Sequence, residues 1–206
     1  MSKWFERSGR SPLVRSAVLA LALLGGLTAC TPSGGSAPVM PPTSPVWVVG
    51  DSLATGTGFS MTDPRPYVWG VGASGFTSGA NTTILANTQH QIDTYGARPR
   101  TMLAVGGLND LAINASIAQI EADMVVFENA MAAQGIAVVW VLEPAWSREA
   151  QLQPLYAWQR TRARSIDCLA AKGPNMPGDG DHPFDYTDFG ACVGAKLRSM
   201  PGVTIY

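Results

Sequence analysis

The sequence predicts an α/β domain in which helical crossovers connect the strands of a parallel sheet. From Val46 onward, short apolar runs alternate with longer segments whose apolar residues recur at helical spacing. The 206 residues are 46% hydrophobic and only 14% charged. This composition fits one folded domain with appendages and argues against a fibrous or wholly disordered chain.

Four apolar runs predict strands. They cover residues 47–49, 67–71, 101–105 and 136–142. The last run is rich in β-branched residues and carries no charge, as expected for a strand that is covered on both faces. Helical spacing or polar segments of suitable length predict helices over residues 82–95, 113–133, 148–171 and 186–200.

Residues that could take part in catalysis or ligand binding follow the predicted strands at the point where each strand ends. Ser52 follows the first strand, Gly75 the second, Asn109 the third and Trp146 the fourth. In open parallel sheets, ligands bind in the crevice beyond the carboxyl ends of the strands. The sequence therefore predicts a site at this edge.

The N-terminal segment predicts export. Lys3, Arg7, Arg10 and Arg15 precede an apolar run that is too short to span a bilayer, which is typical of a signal peptide over residues 1–29. Leu27-Thr28-Ala29-Cys30 resembles the bacterial lipobox, whose cysteine becomes lipid-modified. An ordinary signal peptide with a coincidental cysteine is the alternative.

The lipobox resemblance implies an extracytoplasmic protein that is held at the bacterial cell membrane by lipid on Cys30. Residues 30–45 then form the lipidated cysteine and a tether rich in Pro, Gly and Ser, and residues 46–206 form the folded domain.

The other two cysteines, Cys168 and Cys192, form an even pair in a protein predicted to be exported, and we expect a disulfide between them. Two buried free thiols are the alternative. The bond would close a loop of about two dozen residues and contribute roughly 3 kcal/mol in the chain-entropy model. That loop contains both Asp179 and His182.

The net charge argues against a nucleic-acid partner, and the spacing of the histidines and cysteines argues against a metal site. The formal net charge is −1 and the chain has no basic footprint, so no nucleic-acid partner is predicted. Two distant histidines and separated cysteines do not give metal-ligand spacing, so no metal site is predicted.

Three residues supply the minimum set for nucleophilic attack on an acyl carbon: the hydroxyl of Ser52, the imidazole of His182 and the carboxylate of Asp179. The only other histidine, His90, lies in a polar helical segment that is typical of a solvated surface. Asp181 is a weaker alternative for the orienting carboxylate, because adjacent side chains diverge.

Four short blocks, in chain order, carry a family resemblance. They are Gly50-Asp51-Ser52-Leu53, Ala73-Ser74-Gly75-Phe76-Thr77, Gly107-Leu108-Asn109-Asp110 and Asp179-Gly180-Asp181-His182. Together they resemble the blocks of the SGNH (GDSL) hydrolase family. The resemblance implies a three-layer α/β/α, flavodoxin-like fold and ester hydrolysis through an acyl-enzyme, with no cofactor.

The same resemblance implies residue roles. Ser52 would be the nucleophile, His182 the general base and Asp179 its orienting carboxylate. The oxyanion hole would combine the backbone N–H groups of Ser52 and Gly75 with the side-chain amide of Asn109.

Residues outside the blocks carry other expectations. Phe59, Met61 and Trp146 are candidates for an acyl pocket, whereas Trp140 is expected in the core and Asp110 in the turn structure. The family usually has a further strand before its last block, but residues 168–178 are loop-like here. Either that strand is missing or residues 203–206 take an edge position.

Together these features predict a monomeric, lipid-anchored bacterial esterase or acyl hydrolase. Its substrate would be a small ester, an acylated glycan or a lipid ester. Two alternatives stay open: an acyltransferase with the same triad, and a non-catalytic glycan-binding envelope lipoprotein.

Overall fold

The computed structural model describes residues 43–77 and 82–206. In this part of the chain, five strands form one all-parallel sheet in the order β2-β1-β3-β4-β5. The strands are β1 (Val46–Gly50), β2 (Tyr67–Gly70), β3 (Thr101–Val105), β4 (Ala137–Val141) and β5 (Ser165–Ile166). The predicted α/β class with a central parallel sheet is confirmed, and the strand order is that of flavodoxin-like folds.

Helices connect the strands and follow the last one. They are α1 (Ser52–Ser60), α2 (Ile84–Tyr95), α3 (Leu108–Ala112), α4 (Ile117–Ala132), α5 (Glu149–Arg160) and α6 (Thr187–Arg198). Side-chain caps explain two of the starts, because Thr83 accepts from Ala86 N and Ser116 accepts from Gln119 N. Helix α2 ends at Gly96, whose φ of 60° is left-handed and favours glycine.

The alternation of side chains along the strands produces three layers. In β1, Trp47 and Val49 pack in a core with residues of α2, α4 and α5, whereas Val46 and Val48 pack on the other face with residues of α1 and α6. Both faces of the sheet are therefore covered, and because neither face meets solvent, the strands carry no charged side chains. Trp140 is 1% exposed, as its position within β4 predicted.

The fifth strand corrects two expectations. It lies at Ser165–Ile166, inside the segment predicted as one helix over residues 148–171, and pairs with β4. Helix α5 ends at Arg160, and a single 3₁₀ turn follows at Leu169–Ala171. The tail over residues 203–206 forms no strand; the carbonyl of Thr204 accepts a hydrogen bond from Thr101 Oγ1 at 2.8 Å.

The two residues before Val46, the predicted start of the domain, pack with it. The carbonyl of Pro45 accepts hydrogen bonds from Arg100 N and Thr101 N, and the Ser44 side chain is buried. The predicted signal peptide, Cys30 and the tether up to residue 42 lie outside the described residues. Among those described, no helix is long and apolar enough to cross a membrane.

The expected disulfide is confirmed. Cys168 lies just before the 3₁₀ turn and Cys192 lies in α6, with Cα atoms 6.0 Å apart. The bond ties the end of the β5 segment to the helix that follows the loop containing Asp179 and His182.

Candidate active site

Three side chains from opposite ends of the sequence form a continuous hydrogen-bonded chain. His182 Nε2 lies 2.8 Å from Ser52 Oγ, and His182 Nδ1 lies 2.8 Å from Asp179 Oδ1. With Nδ1 protonated, the ring donates to Asp179 and leaves Nε2 free to accept the serine proton. This is the geometry that a serine nucleophile, a base and an orienting carboxylate require.

Ser52 owes its position to the turn between β1 and α1. Gly50 has a φ of 149°, and a Cβ on it would lie 1.9 Å from the carbonyl oxygen of Val105, so the turn requires glycine. Asp51 then caps α1, with its Oδ1 accepting from Leu53 N and Ala54 N. Ser52 is the first residue of the helix, where its own N–H has no intrahelical acceptor.

The loop that carries His182 is organised by Asp179. Its Oδ1 accepts from the backbone N–H groups of Asp181 and His182 as well as from the imidazole. Burial opposes ionisation of Asp179, but these three hydrogen bonds outweigh it and lower the pKa of the carboxyl. Asp179 is therefore an ionised partner for the imidazole.

The alternative carboxylate has a different partner. Asp181 Oδ1 accepts from the hydroxyl of Ser147, and its carbonyl accepts from Trp146 N. Asp179, not Asp181, contacts the imidazole in this structure. His90 is exposed on α2.

Gly75 lies beside a carboxylate that organises its loop. Asp110 accepts from Phe76 N, Thr77 N and Thr77 Oγ1, at 2.6 to 3.0 Å. A Cβ on Gly75 would lie 2.6 Å from Asp110 Oδ1, so no side chain fits at this position. Asp110 therefore holds the loop structure, as the sequence predicted.

Asn109 is fixed by two acceptors. Its Nδ2 donates to Asp51 Oδ2 at 2.9 Å and to the carbonyl of Ser74 at 3.1 Å. Because both acceptors require the amino end of the amide, the orientation of the side chain is determined by its surroundings. The Ser74 carbonyl belongs to the peptide that carries Gly75 N, so the amide of Asn109 contacts that peptide on its carbonyl side.

The three pocket candidates lie in different environments. Trp146 is half-buried; its Nε1 donates to the carbonyl of Gly173, and Lys172 Nζ lies 4.0 Å from its ring centroid. Phe59 is exposed about 10 Å along α1 from Ser52. Met61 is 2% exposed in the core beneath α1 and α6. Phe59 therefore lies in the last turn of α1 and Met61 directly after it, whereas Ser52 is the first residue of that helix.

The structure reveals two residues that sequence reasoning missed. Phe184, two positions after His182 in the sequence, is a large apolar side chain that is 67% exposed. Glu143 is fully buried just beyond β4, where its Oε2 accepts from Leu108 N at 2.8 Å. A charged residue directly after an apolar strand was the signal that could have identified Glu143.

Within residues 43–77 and 82–206, no group of three or more His, Cys, Asp or Glu side chains is arranged to hold a metal ion. A scan against protein-family models finds no match for the chain, and a search of curated proteins finds no similar sequence. What the site can do therefore follows from its own geometry.

Proposed function

We propose that this protein is a serine-dependent carboxylic ester hydrolase of the SGNH type, acting through an acyl-enzyme. The observation that carries the proposal is the unbroken contact from Ser52 Oγ through His182 to Asp179, with 2.8 Å at each step. Ser52 and His182 are in contact although they lie 130 positions apart in the sequence, so this arrangement is a product of the fold and not of sequence proximity.

The chemistry runs in two half-reactions. His182 Nε2 accepts the proton of Ser52 as Oγ attacks the acyl carbon, and the same nitrogen returns that proton to the leaving alcohol. Asp179 stabilises the imidazolium through its contact with Nδ1. Water, activated by His182, then attacks the acyl-enzyme and releases the acid, which restores the Ser52 hydroxyl.

The developing oxyanion would be stabilised by polar groups from three loops. Ser52 N–H lies at the start of α1, where the helix dipole also favours negative charge. Gly75 N–H and the amide of Asn109 would complete the set once one Asn109 N–H exchanges its present acceptor, Asp51 Oδ2 or the carbonyl of Ser74, for the oxyanion. Loss of one such donor typically costs about 10²- to 10³-fold in rate.

Turnover of a short-chain aryl ester by the full chain tests the proposal. We expect Ser52→Ala to abolish turnover while the circular dichroism spectrum stays that of the wild type. Ser199→Ala is the matched control, since Ser199 is exposed at the end of α6 and its hydroxyl contacts only its own turn. Full turnover by Ser52→Ala would refute the nucleophile assignment.

We also propose that the enzyme works outside the cytoplasm on a lipid anchor at Cys30. The Cys168–Cys192 bond supports export, because such bonds persist in oxidising compartments. In a bacterial expression host, the wild type should partition into the detergent phase and Cys30→Ala into the aqueous phase. Equal partitioning of the two would refute the anchor and leave the hydrolase proposal intact.

A further inference from the structure

Two buried carboxyl groups, those of Asp51 and Glu143, are hydrogen-bond neighbours, and Asn109 donates to the first of them. Asp51 follows β1 and Glu143 follows β4, so both lie at the carboxyl edge of the sheet, and both are 0% exposed. The triad does not use either of them. Two ionised carboxylates side by side in the protein interior would be strongly unfavourable, so one of them must hold a proton.

The surrounding donors are distributed unequally between the two. Asp51 accepts from Leu53 N, Ala54 N and the amide of Asn109. Glu143 accepts one bond, from Leu108 N to Oε2, while its Oε1 is buried and receives no N–H or O–H donor in the described part of the chain. Donors stabilise the charged form, so Asp51 is the ionised member and Glu143 the neutral one.

The pKa shifts of the two carboxyl groups support the same assignment, a neutral Glu143 beside an ionised Asp51. Burial raises the pKa of Glu143 well above its ordinary value, and the adjacent charge of Asp51 and a side-chain hydrogen bond to it raise that pKa further. Burial also raises the pKa of Asp51, and the hydrogen bonds from Glu143, Leu53 and Ala54 reduce that rise without cancelling it. A proton on the Glu143 carboxyl supplies the donor that a hydrogen bond between the two carboxyl groups requires.

We propose that Glu143 is a positioning residue for Asn109: its neutral carboxyl donates a hydrogen bond to Asp51 and accepts one from Leu108 N–H. Asn109 is then held twice. Its backbone is fixed through the preceding residue, Leu108, and its side chain is fixed through Asp51 Oδ2. The inference rests on the proposed hydrolase function only for its effect on rate.

Two substitutions at Glu143 separate hydrogen bonding from volume in the full chain. Glu143→Leu removes both hydrogen bonds, and we expect kcat to fall about 10²-fold with KM little changed, since a small displacement of a catalytic group has that effect. Glu143→Gln keeps a carbonyl for Leu108 N–H and an N–H donor for Asp51, so it should recover most of kcat. Equal damage by the two substitutions, or full kcat in Glu143→Leu, would overturn the proposal.

A spectroscopic measurement tests the proton without any need for turnover. In protein labelled with ¹³C at glutamate side chains, the resonance that disappears in Glu143→Gln should have the shift of a neutral carboxylic acid around neutral pH. The titratable groups that face the pair are Asp110 on α3, Tyr156 on α5, Tyr186 at the start of α6 and His182. An ionised Glu143 at neutral pH would overturn the proposal.

The hydrolase function and the neutral state of Glu143 can be refuted independently of each other. A wild type that hydrolyses no ester and is not labelled by a fluorophosphonate refutes the hydrolase function, and the ¹³C shift of Glu143 still decides the state of the buried pair. Conversely, an active enzyme with an ionised Glu143 keeps the function and loses this inference.

Discussion

At the scale of single residues, the polar groups of the site each have a partner that fixes one orientation. Asp179 takes three hydrogen bonds on one oxygen, and Asn109 donates to two acceptors. Such pre-organisation lowers the cost of reorienting Asp179 and His182 during the reaction, whereas Asn109 must exchange one acceptor to reach an oxyanion. Substitutions that keep the size of a side chain but remove its hydrogen bond are therefore the most informative tests.

The choice of orienting carboxylate gives the first prediction. Asp179→Asn keeps the shape of the side chain but removes the charge that faces His182 Nδ1, and kcat should fall by about 10⁴-fold. Asp181→Asn is the matched control, because Asp181 contacts Ser147 and not the imidazole. Steady-state kinetics decide between them, and a larger loss in Asp181→Asn than in Asp179→Asn would reverse the assignment.

A second prediction concerns the loop after β2. Gly75→Ala places a methyl group 2.6 Å from Asp110 Oδ1, so the loop must shift, and we expect a loss of about 10²- to 10³-fold in kcat. In the same loop, a Cβ on Gly72 would meet nothing within 4 Å, which makes Gly72→Ala the control. Unaltered kcat in Gly75→Ala would argue against a role for this loop in oxyanion stabilisation.

The buried pair gives a prediction on pH and stability. Because the pKa of Glu143 is raised in the folded protein, the native state keeps a proton that the unfolded chain releases above about pH 4.3. Stability contributed by that proton is present below the unfolded pKa and is lost as pH rises. Relative to Glu143→Gln, the wild type should lose up to about 1.4 kcal/mol of unfolding free energy per pH unit.

Urea denaturation of both proteins over a range of pH measures this difference. A constant difference in unfolding free energy at all pH values above the ordinary glutamate range would show that Glu143 is ionised in the native state.

Motifs revealed the triad residues but not what supports them. Ser52, Asn109, Asp179 and His182 stand in short patterns whose spacing is visible in the sequence. Glu143 belongs to no such pattern, because its role depends on β1, β3 and β4 ending side by side. A contact between Asp51 and a residue more than 90 positions away is a consequence of sheet order, which one sequence does not display.

At the scale of whole elements, predictability followed the strength of the local signal. Strands β1 and β3 are fully buried, β4 is buried except at Ala137, and all three lack charge; each was identified within one or two residues. Strand β5 has two residues in a polar segment, which is too short to show any period, so the helix before it was predicted to continue. Its existence is decided by pairing with β4, a tertiary contact.

The disulfide gives an element-scale prediction. Because Cys168 and Cys192 close a loop with a sequence separation of 24, the Cys168→Ala, Cys192→Ala double variant should lose about 3 kcal/mol of unfolding free energy. Reduction of the wild type should move the urea midpoint to that of the double variant. An unchanged midpoint in either case would show that the bond does not constrain the chain.

At the scale of the molecule, the strand order places the site. Within the sheet, β2 lies beside β1 on one side and β3 lies beside it on the other. The connections after β1 and β2 therefore run in opposite directions, and a crevice opens between the carboxyl ends of β1 and β3. Ser52 follows β1 and Asn109 follows β3, so both lie at this switch point. His182 reaches it from the loop before α6, which packs on the same face of the sheet as α1.

The most direct test of the account is the position of a covalent label. The full chain is treated with a fluorophosphonate, digested and mapped by mass spectrometry. We expect one adduct, on the peptide that contains Ser52, with labelling lost in Ser52→Ala and strongly reduced in His182→Ala but not in His90→Ala. An adduct on another residue, or equal labelling of Ser52→Ala and wild type, would contradict the claim that Ser52 is the nucleophile.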